Sequence, residues 1–305
     1  MKPKVLKVQQ AIYDGLDEAY VPVYADLKTF KPLLKTQVER CRATGRFGSS
    51  LKAVRNAKEI ARLGLKPGQR VLDAGSGGGI LINQLVARYK VKGAGLDLSA
   101  LALKRAREAG SKAITYKRGV LEKMPFPAQS FDAVVSFDVL EHVEGKGQAI
   151  AEIVRVLKPG GRALIYAVSS RDTFTWHWWL RVVTLGRHGH DTGAGHHPDL
   201  MASPFLTREQ FELAGAQVLH LGYLHSFFSL MLDEGLFWMM DRRQRAQRQA
   251  DARPAKAAAP AAGASGRVYG VLRVMEFVLN ALEWPWKVFG LSNGFFVLAE
   301  KTGRS

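Results

Sequence analysis

The sequence predicts an α/β protein built on a doubly wound sheet, and three observations predict it. From Arg70 onward, short apolar runs alternate with helical patterns, as in βαβ units joined by crossover helices. The first run, Val71 and Leu72, passes directly into a turn holding Gly75, Gly77, Gly78 and Gly79, where backbone bends tightly or lies against another group. With 305 residues, 47% of them hydrophobic, the chain is also large enough to cover both faces of such a sheet,.

Taken in order, residues 1–63 read as an N-terminal helical cap. Ile12, Tyr13, Leu16, Tyr20, Val23, Tyr24, Leu27 and Phe30 recur at helical spacing, Pro22 and Pro32 divide the segment, and a further helix is expected over 50–63,. The core is expected over 64–222 plus 293–305. Its strands are placed at 70–73, 92–97, 113–116, 131–137 and 162–168 and its helices at 80–89, from Ser99 as N-cap, and at 147–157 before the turn KPGG,. In parallel sheets ligands bind beyond the carboxyl ends of the strands, and the motifs are expected there. Residues 174–185 are rich in tryptophan, 187–197 form a Gly/His-rich loop, and Thr207 with Gln210 reads as a capping box,. Strands at 217–221 and 293–301 follow, making seven in all. The connection between these last two, about seventy residues, is far longer than the usual roughly four to six. This insertion, 223–292, divides into an apolar lid at 223–240, a basic low-complexity tether at 242–267 and an amphipathic helix at 268–289,. The polar residues of that helix, Arg273, Glu276, Asn280, Glu283 and Lys287, form one narrow stripe, and Pro285 should kink or restart it,.

The glycine turn suits a nucleotide-like cofactor. It lacks the sixth-position glycine of the dinucleotide fingerprint, where Ile80 stands, and no Gly-Lys-Ser/Thr follows it,. Around it stand Asp73-Ala-Gly75-Ser-Gly77-Gly-Gly79, Gly95-Leu-Asp97-Leu-Ser99, Met124-Pro125-Phe126, Ser130-Phe131-Asp132, Leu140-Glu141-His142 and Leu157-Lys-Pro-Gly-Gly161. In order and spacing these words resemble the class I S-adenosylmethionine-dependent methyltransferases of small molecules (the methyltransferase type 11 group), with their Rossmann-like seven-stranded sheet. The resemblance implies that the glycines Gly75, Gly77 and Gly79 lie against the methionyl part of the cofactor. It also implies that Asp97 binds both ribose hydroxyls, that Asp73 holds the ammonium group, and that Leu98, Val120, Leu121 and Phe137 complete the contact. Val120 stands where many relatives carry an Asp for the adenine amino group, so backbone near Val120 and Leu121 must serve instead. Leu140-Glu141-His142-Val143, the aromatic segment after the fifth strand, and His190-Asp191 ahead of Phe205-Leu206-Thr207 are similar to ubiquinone-biosynthesis O-methyltransferases.

Methyl transfer to oxygen needs in-line alignment and, for a phenol, removal of a proton. His142 is the first candidate base, with Glu141 either orienting it or facing outward. His190, His196 and His197, in the Gly-flanked loop, read as exposed. Asp138, Glu141 and His142 offer one oxygen-rich metal possibility, and no structural metal is expected. The formal charge of +17 favours nucleic acid or an anionic membrane,. The segment Ser136-Phe137-Asp138-Val139 lacks the paired prolines of base-amino methyltransferases, and the tether lacks aromatic stacking residues, so nucleic acid is the weaker partner,. The apolar segments and the basic tether instead fit a peripheral enzyme on an anionic membrane that takes a hydrophobic small molecule. The expected acceptor is an oxygen of a quinone or phenolic/isoprenoid precursor, with lipid N- or C-methylation and RNA methylation as alternatives. Lone Cys41, no apolar leader core and no run of about 18 apolar residues predict a cytoplasmic protein, peripheral on the membrane.

Overall fold

The computed structural model describes residues 25–26, 31–32, 51–109, 113–185, 200–232 and 266–303. Most of the expected helical cap before residue 51, the loop with His190, Asp191, His196 and His197, lid residues 233–240 and nearly all of the tether lie outside the described residues, and the two pieces of the cap described there, Ala25–Asp26 and Lys31–Pro32, pair as antiparallel strands and not as helix.

The centre is a seven-stranded sheet: β1 (Arg70–Ala74), β2 (Lys92–Asp97), β3 (Thr115–Arg118), β4 (Phe131–Phe137), β5 (Leu157–Val168), β6 (Ala216–Leu224) and β7 (Gly294–Lys301). Their order is β3-β2-β1-β4-β5-β7-β6. The helices are α1 (Leu51–Ala61), α2 (Ile80–Tyr89), α3 (Ala100–Ala109), α4 (Lys146–Val156), α5 (Trp176–Val183), α6 (Pro204–Leu213), α7 (Gly266–Leu282) and α8 (Trp284–Val288). Period-2 alternation sends neighbouring residues to opposite faces, and here both faces are buried. Leu72, Val134 and Phe295 pack with Ile150 and Ile153 of α4 and Phe211 of α6. Val71, Val135 and Phe296 pack with Ile60 of α1, Ile82 and Leu85 of α2 and Leu103 of α3.

Pairing is parallel from β3 through β5, but β7 runs antiparallel to both β5 and β6, so the sheet is mixed. The chain leaves β6 at Leu224 and re-enters at its ladder partner Gly294. An insertion that departs and returns at one edge forces an antiparallel neighbour. Closing a long loop costs little more than closing a short one, which makes the insertion tolerable.

Three expectations need correction. β3 lies at 115–118, two residues beyond the expected 113–116. The cap of α6 is Ser203, whose Oγ accepts from the Leu206 N–H at 3.4 Å, with Pro204 in the first turn, so Thr207 sits inside the helix and is buried. Nor do all motifs lie at the carboxyl ends of the strands. Asp132 accepts from the Arg70 N–H at the start of β1 (2.7 Å) and pairs with Lys158 (2.7 Å), so Asp132 and residues 157–161, which form the irregular start of β5 and not the expected turn before it, brace the opposite end of the sheet. Among motifs nearer the site, Met124-Pro125-Phe126 is also braced: the Met124 N–H donates to Glu152 and Arg155 donates to the Phe126 carbonyl. Pro285 does restart the final helix, standing in the first turn of α8.

Candidate functional site

The glycine turn between β1 and α2 is fastened at its ends and open in its middle. The N–H groups of Gly75 and Ser76 both donate to the Leu96 carbonyl, at 2.8 and 2.9 Å, tying the turn to β2. Gly79 donates to the Ser76 carbonyl, and Asn83 Nδ2 to that of Gly79. Gly75, Gly77 and Gly79 have φ of +91°, +49° and +73°, where a side chain is strained,. Their surroundings differ. A Cβ on Gly75 would stand 2.2 Å from Val139 Cγ2, and one on Gly79 2.3 Å from the Tyr116 hydroxyl. A Cβ on Gly77 would meet no protein atom within 4 Å. Gly75 and Gly79 thus serve packing, while Gly77 leaves the backbone open to whatever lies over it.

Asp97, at the end of β2, shapes this turn from the next strand. Its Oδ2 accepts from the Gly77 N–H and its Oδ1 from the Ser99 N–H, both at 2.8 Å. Ser99 in turn caps α3, accepting from the Ala102 N–H at 3.0 Å. The Gly119 N–H donates to the Asp97 carbonyl and Arg118 to that of Leu98, which draws Val120 and the buried Leu121 alongside Asp97 and Leu98. Asp73 lies beneath the turn, 2% exposed. Burial, and secondly the Asp97 charge, push its carboxyl up to about 7, with the Ile82 N–H opposing. Asp73 Oδ2 and Ser76 Oγ are buried without a hydrogen-bond partner. A buried carboxylate left short of donors beside an open backbone has the chemistry of a site for a cationic, hydrogen-bonding ligand. These residues therefore fit a cofactor carrying an ammonium and a ribose.

A second wall comes from the turn after β4. Ser136 Oγ donates to the Ala74 carbonyl at 2.7 Å, and Val139 packs on Gly75, so this turn abuts the glycine turn. Phe137 enters an aromatic cluster with Tyr166 and Phe296, at centroid distances of 6.2 and 6.0 Å. Asp138 has φ of +57°, and Lys52 of α1 reaches it with Nζ at 2.8 and 2.9 Å from the two oxygens and 4.5 Å from the Tyr166 ring centroid. In the 3-10 turn at 140–142, both Glu141 and His142 are buried. Glu141 therefore faces inward. Burial, then the neighbouring Asp138, push its carboxyl up to about 8, with backbone N–H groups of Glu141 and Val168 and the Lys52 charge opposing. Among the described residues no group of three or more His, Cys, Asp or Glu side chains is arranged to hold a metal.

The sequence reading brought Asp73, Asp97, the glycines and Glu141-His142 into consideration, and the fold gathers them at the carboxyl ends of β1, β2 and β4. It missed Lys52, 86 positions from its partner, for which no local motif signals. It also missed Ser76, whose place inside the glycine word was the available signal.

Residues 72–165 match a family described as a methyltransferase domain. A ubiquinone biosynthesis O-methyltransferase of Hahella chejuensis is 40% identical over 98 residues, 31% of this chain and 41% of that protein. A sterol 24-C-methyltransferase of Gibberella zeae is 36% identical over 117 residues, 37% of this chain and 31% of that protein. The chain thus spans less than half the length of these relatives, and they differ in acceptor atom. The structure of phosphoethanolamine N-methyltransferase 2 of Haemonchus contortus with S-adenosyl-L-methionine superposes with a TM-score of 0.52 at 21% identity, covering 81% of this chain and 52% of that one, a likeness of fold. The core that carries the glycine turn, Asp73 and Asp97 therefore matches the methyltransferase-domain family over residues 72–165 and has the fold of the class I S-adenosylmethionine-dependent methyltransferases.

Proposed function

We propose that the protein transfers a methyl group from S-adenosylmethionine to a hydrophobic small molecule at a membrane surface. The acceptor in this reading is an oxygen of a quinone or phenolic/isoprenoid precursor. The observation that carries the cofactor half is the buried, donor-starved Asp73 beside the open Gly77. What the cofactor supplies is a methyl group on a sulfonium, open to in-line displacement. Asp97 would hold the ribose hydroxyls, since a carboxylate has about four acceptor positions, enough to hold the turn and the sugar together. Asp73 and Ser76 would take the ammonium, and backbone at Val120 and Leu121 the adenine. His142 would receive the acceptor's proton as the new O–C bond forms. Lys52 is a positioning residue, holding Asp138 in its left-handed conformation.

The pH dependence of binding follows from Asp73. An ammonium beside it requires the carboxylate, yet burial keeps the carboxyl protonated up to about 7. Affinity should therefore rise as pH increases through 7, by up to roughly tenfold per unit below that point, with a proton released on binding. It should fall again above roughly 8, where an α-amino group loses its own proton. Calorimetry in buffers of different ionisation enthalpy reads the released proton directly. A flat profile between pH 6 and 8 would remove Asp73 from the ammonium site. Without ligand the same shift acts on stability: the folded state holds a proton that the unfolded state gives up near pH 4, so this contribution weakens as pH rises from there to 7,.

The test of function is transfer of labelled methyl from S-adenosylmethionine into a lipid extract. Label in the organic phase is expected, with the product hydrolysed and its acceptor atom assigned. His142→Ala should lower turnover roughly a hundredfold or more while cofactor binding persists. Unchanged turnover would remove His142 as base, and label appearing only in polar metabolites or RNA would overturn the hydrophobic acceptor. The second reading is methylation at lipid nitrogen or carbon, the carbon case being favoured by the sterol 24-C-methyltransferase among the similar proteins.

A further inference from the structure

The helical insertion is built with its polarity reversed. The inner face of α7 and α8 is the charged one: Glu276 and Asn280 bind Arg55 of α1 at 2.8 and 3.1 Å, and Glu283 accepts from the N–H and hydroxyl of Ser229. Lys287 donates to Asn280, and burial lowers its ammonium to about 8. Four members of the polar stripe thus point into the protein. Among the described residues nothing covers the apolar outer face, with Phe277 70%, Trp284 66% and Phe289 66% exposed. A soluble helix normally shows the opposite arrangement. The face also continues sideways. Trp286 Nε1 donates to the Phe174 carbonyl at 2.7 Å, and Arg171 binds the Phe289 carbonyl while lying 5.1 Å from the ring centroid of Phe205. Phe174 and Phe205 are themselves largely exposed. Insertion, the segment after β5 and the start of α6 therefore make one aromatic surface.

We infer that this surface docks on an anionic lipid bilayer, lying in the interface with Phe277, Trp284 and Phe289 immersed. Charge selects this occupant over a second copy of the chain. Residues 242–267, which run into the start of α7, hold a run of Arg and Lys against a single acid, Asp251, and the whole chain carries +17. Two such chains repel, whereas an anionic surface attracts the basic run. No helix among the described residues is long and apolar enough to cross a membrane, so the contact is parallel to the surface. The inference rests on the reading of a membrane-borne acceptor only for its purpose, and its test is separate from methyl transfer.

The experiment is co-sedimentation of the full chain with vesicles of phosphatidylglycerol and phosphatidylcholine, and with phosphatidylcholine alone. The expected result is binding to the anionic vesicles, weakened by salt, with Trp284→Ala/Phe289→Ala reducing the partition coefficient roughly tenfold or more. Phe277→Glu is a second route to the same loss. Both variants should keep wild-type calorimetric binding of S-adenosylmethionine, which shows that they fold. Indifference of the wild-type protein to anionic vesicles, or unaltered binding by the variants, would overturn the inference. So would a dimer in sedimentation velocity that these substitutions convert to monomer. If docking fails while label still enters a detergent-dispersed lipid extract, the methyl-transfer reading stands alone. If vesicles bind and no label transfers, the acceptor reading falls and the docking surface stands.

Discussion

A methyl group added at Gly77 should leave the protein folded and cost it the cofactor, whereas the same methyl at Gly75 should cost it the fold. Both residues have positive φ, which for a residue with a Cβ costs about 1–2 kcal/mol. At Gly75 the Cβ would also stand 2.2 Å from Val139 Cγ2, and overpacking adds about 1–3 kcal/mol. Gly75→Ala should therefore lose about 2–5 kcal/mol in chemical denaturation, with a lowered Tm. At Gly77 no protein atom lies within 4 Å, so the loss should stay near the backbone cost alone. Only a ligand over the turn can collide there. Gly77→Ala should bind S-adenosylmethionine roughly ten- to a hundredfold more weakly. If it titrates like the wild type, nothing lies against the backbone at Gly77.

Asp97→Ala carries the second large effect. Loss of two charge-assisted hydrogen bonds to ribose, at about 1.5 kcal/mol or more each, predicts at least a roughly hundredfold loss of affinity. The substitution also strands the N–H groups of Gly77 and Ser99 that Asp97 now satisfies, so stability should drop as well. Asp97→Asn separates the two effects in part, because its single carbonyl oxygen can still accept from one of the two N–H groups. It also removes the charge that helps raise Asp73, so the pH midpoint of cofactor binding should move downward. Wild-type affinity in Asp97→Ala would place the ribose elsewhere.

The parts of the fold legible in the sequence were those where a local rule agrees with the tertiary outcome. β4 begins and ends where expected because it is a short apolar run buried along most of its length, and β2 because its small central residues are buried between Lys92 and Asp97. α2 starts at Ile80 because the glycines before it cannot continue the turn as helix. β3 slipped because it is a sheet-edge strand with only Tyr116 buried, which leaves little pattern to fix its register,. The α6 cap was misplaced because Thr207 and Gln210 have the spacing of a capping box, while Ser203 followed by Pro204 supplies a better start,. In the insertion, periodicity gave the stripe from Glu276 to Lys287 but not its direction. That depends on Arg55, more than two hundred positions away, which turns the stripe inward. Lys52 was invisible for the same reason, since its meaning comes from Asp138. In the candidate site, the glycines, Asp73 and Asp97 were legible because each stands at a strand end in a fixed word. The buried state of Glu141 and His142 was not, because it depends on packing around the turn after β4.

Calorimetric titration of the wild-type chain with S-adenosylmethionine at pH 7.5 tests most directly whether that cofactor occupies the turn between Asp73 and Asp97. The predicted result is one saturable site of micromolar affinity, on the order of −8 kcal/mol, competed by the demethylated product. No heat of binding and no thermal stabilisation at millimolar cofactor would contradict it.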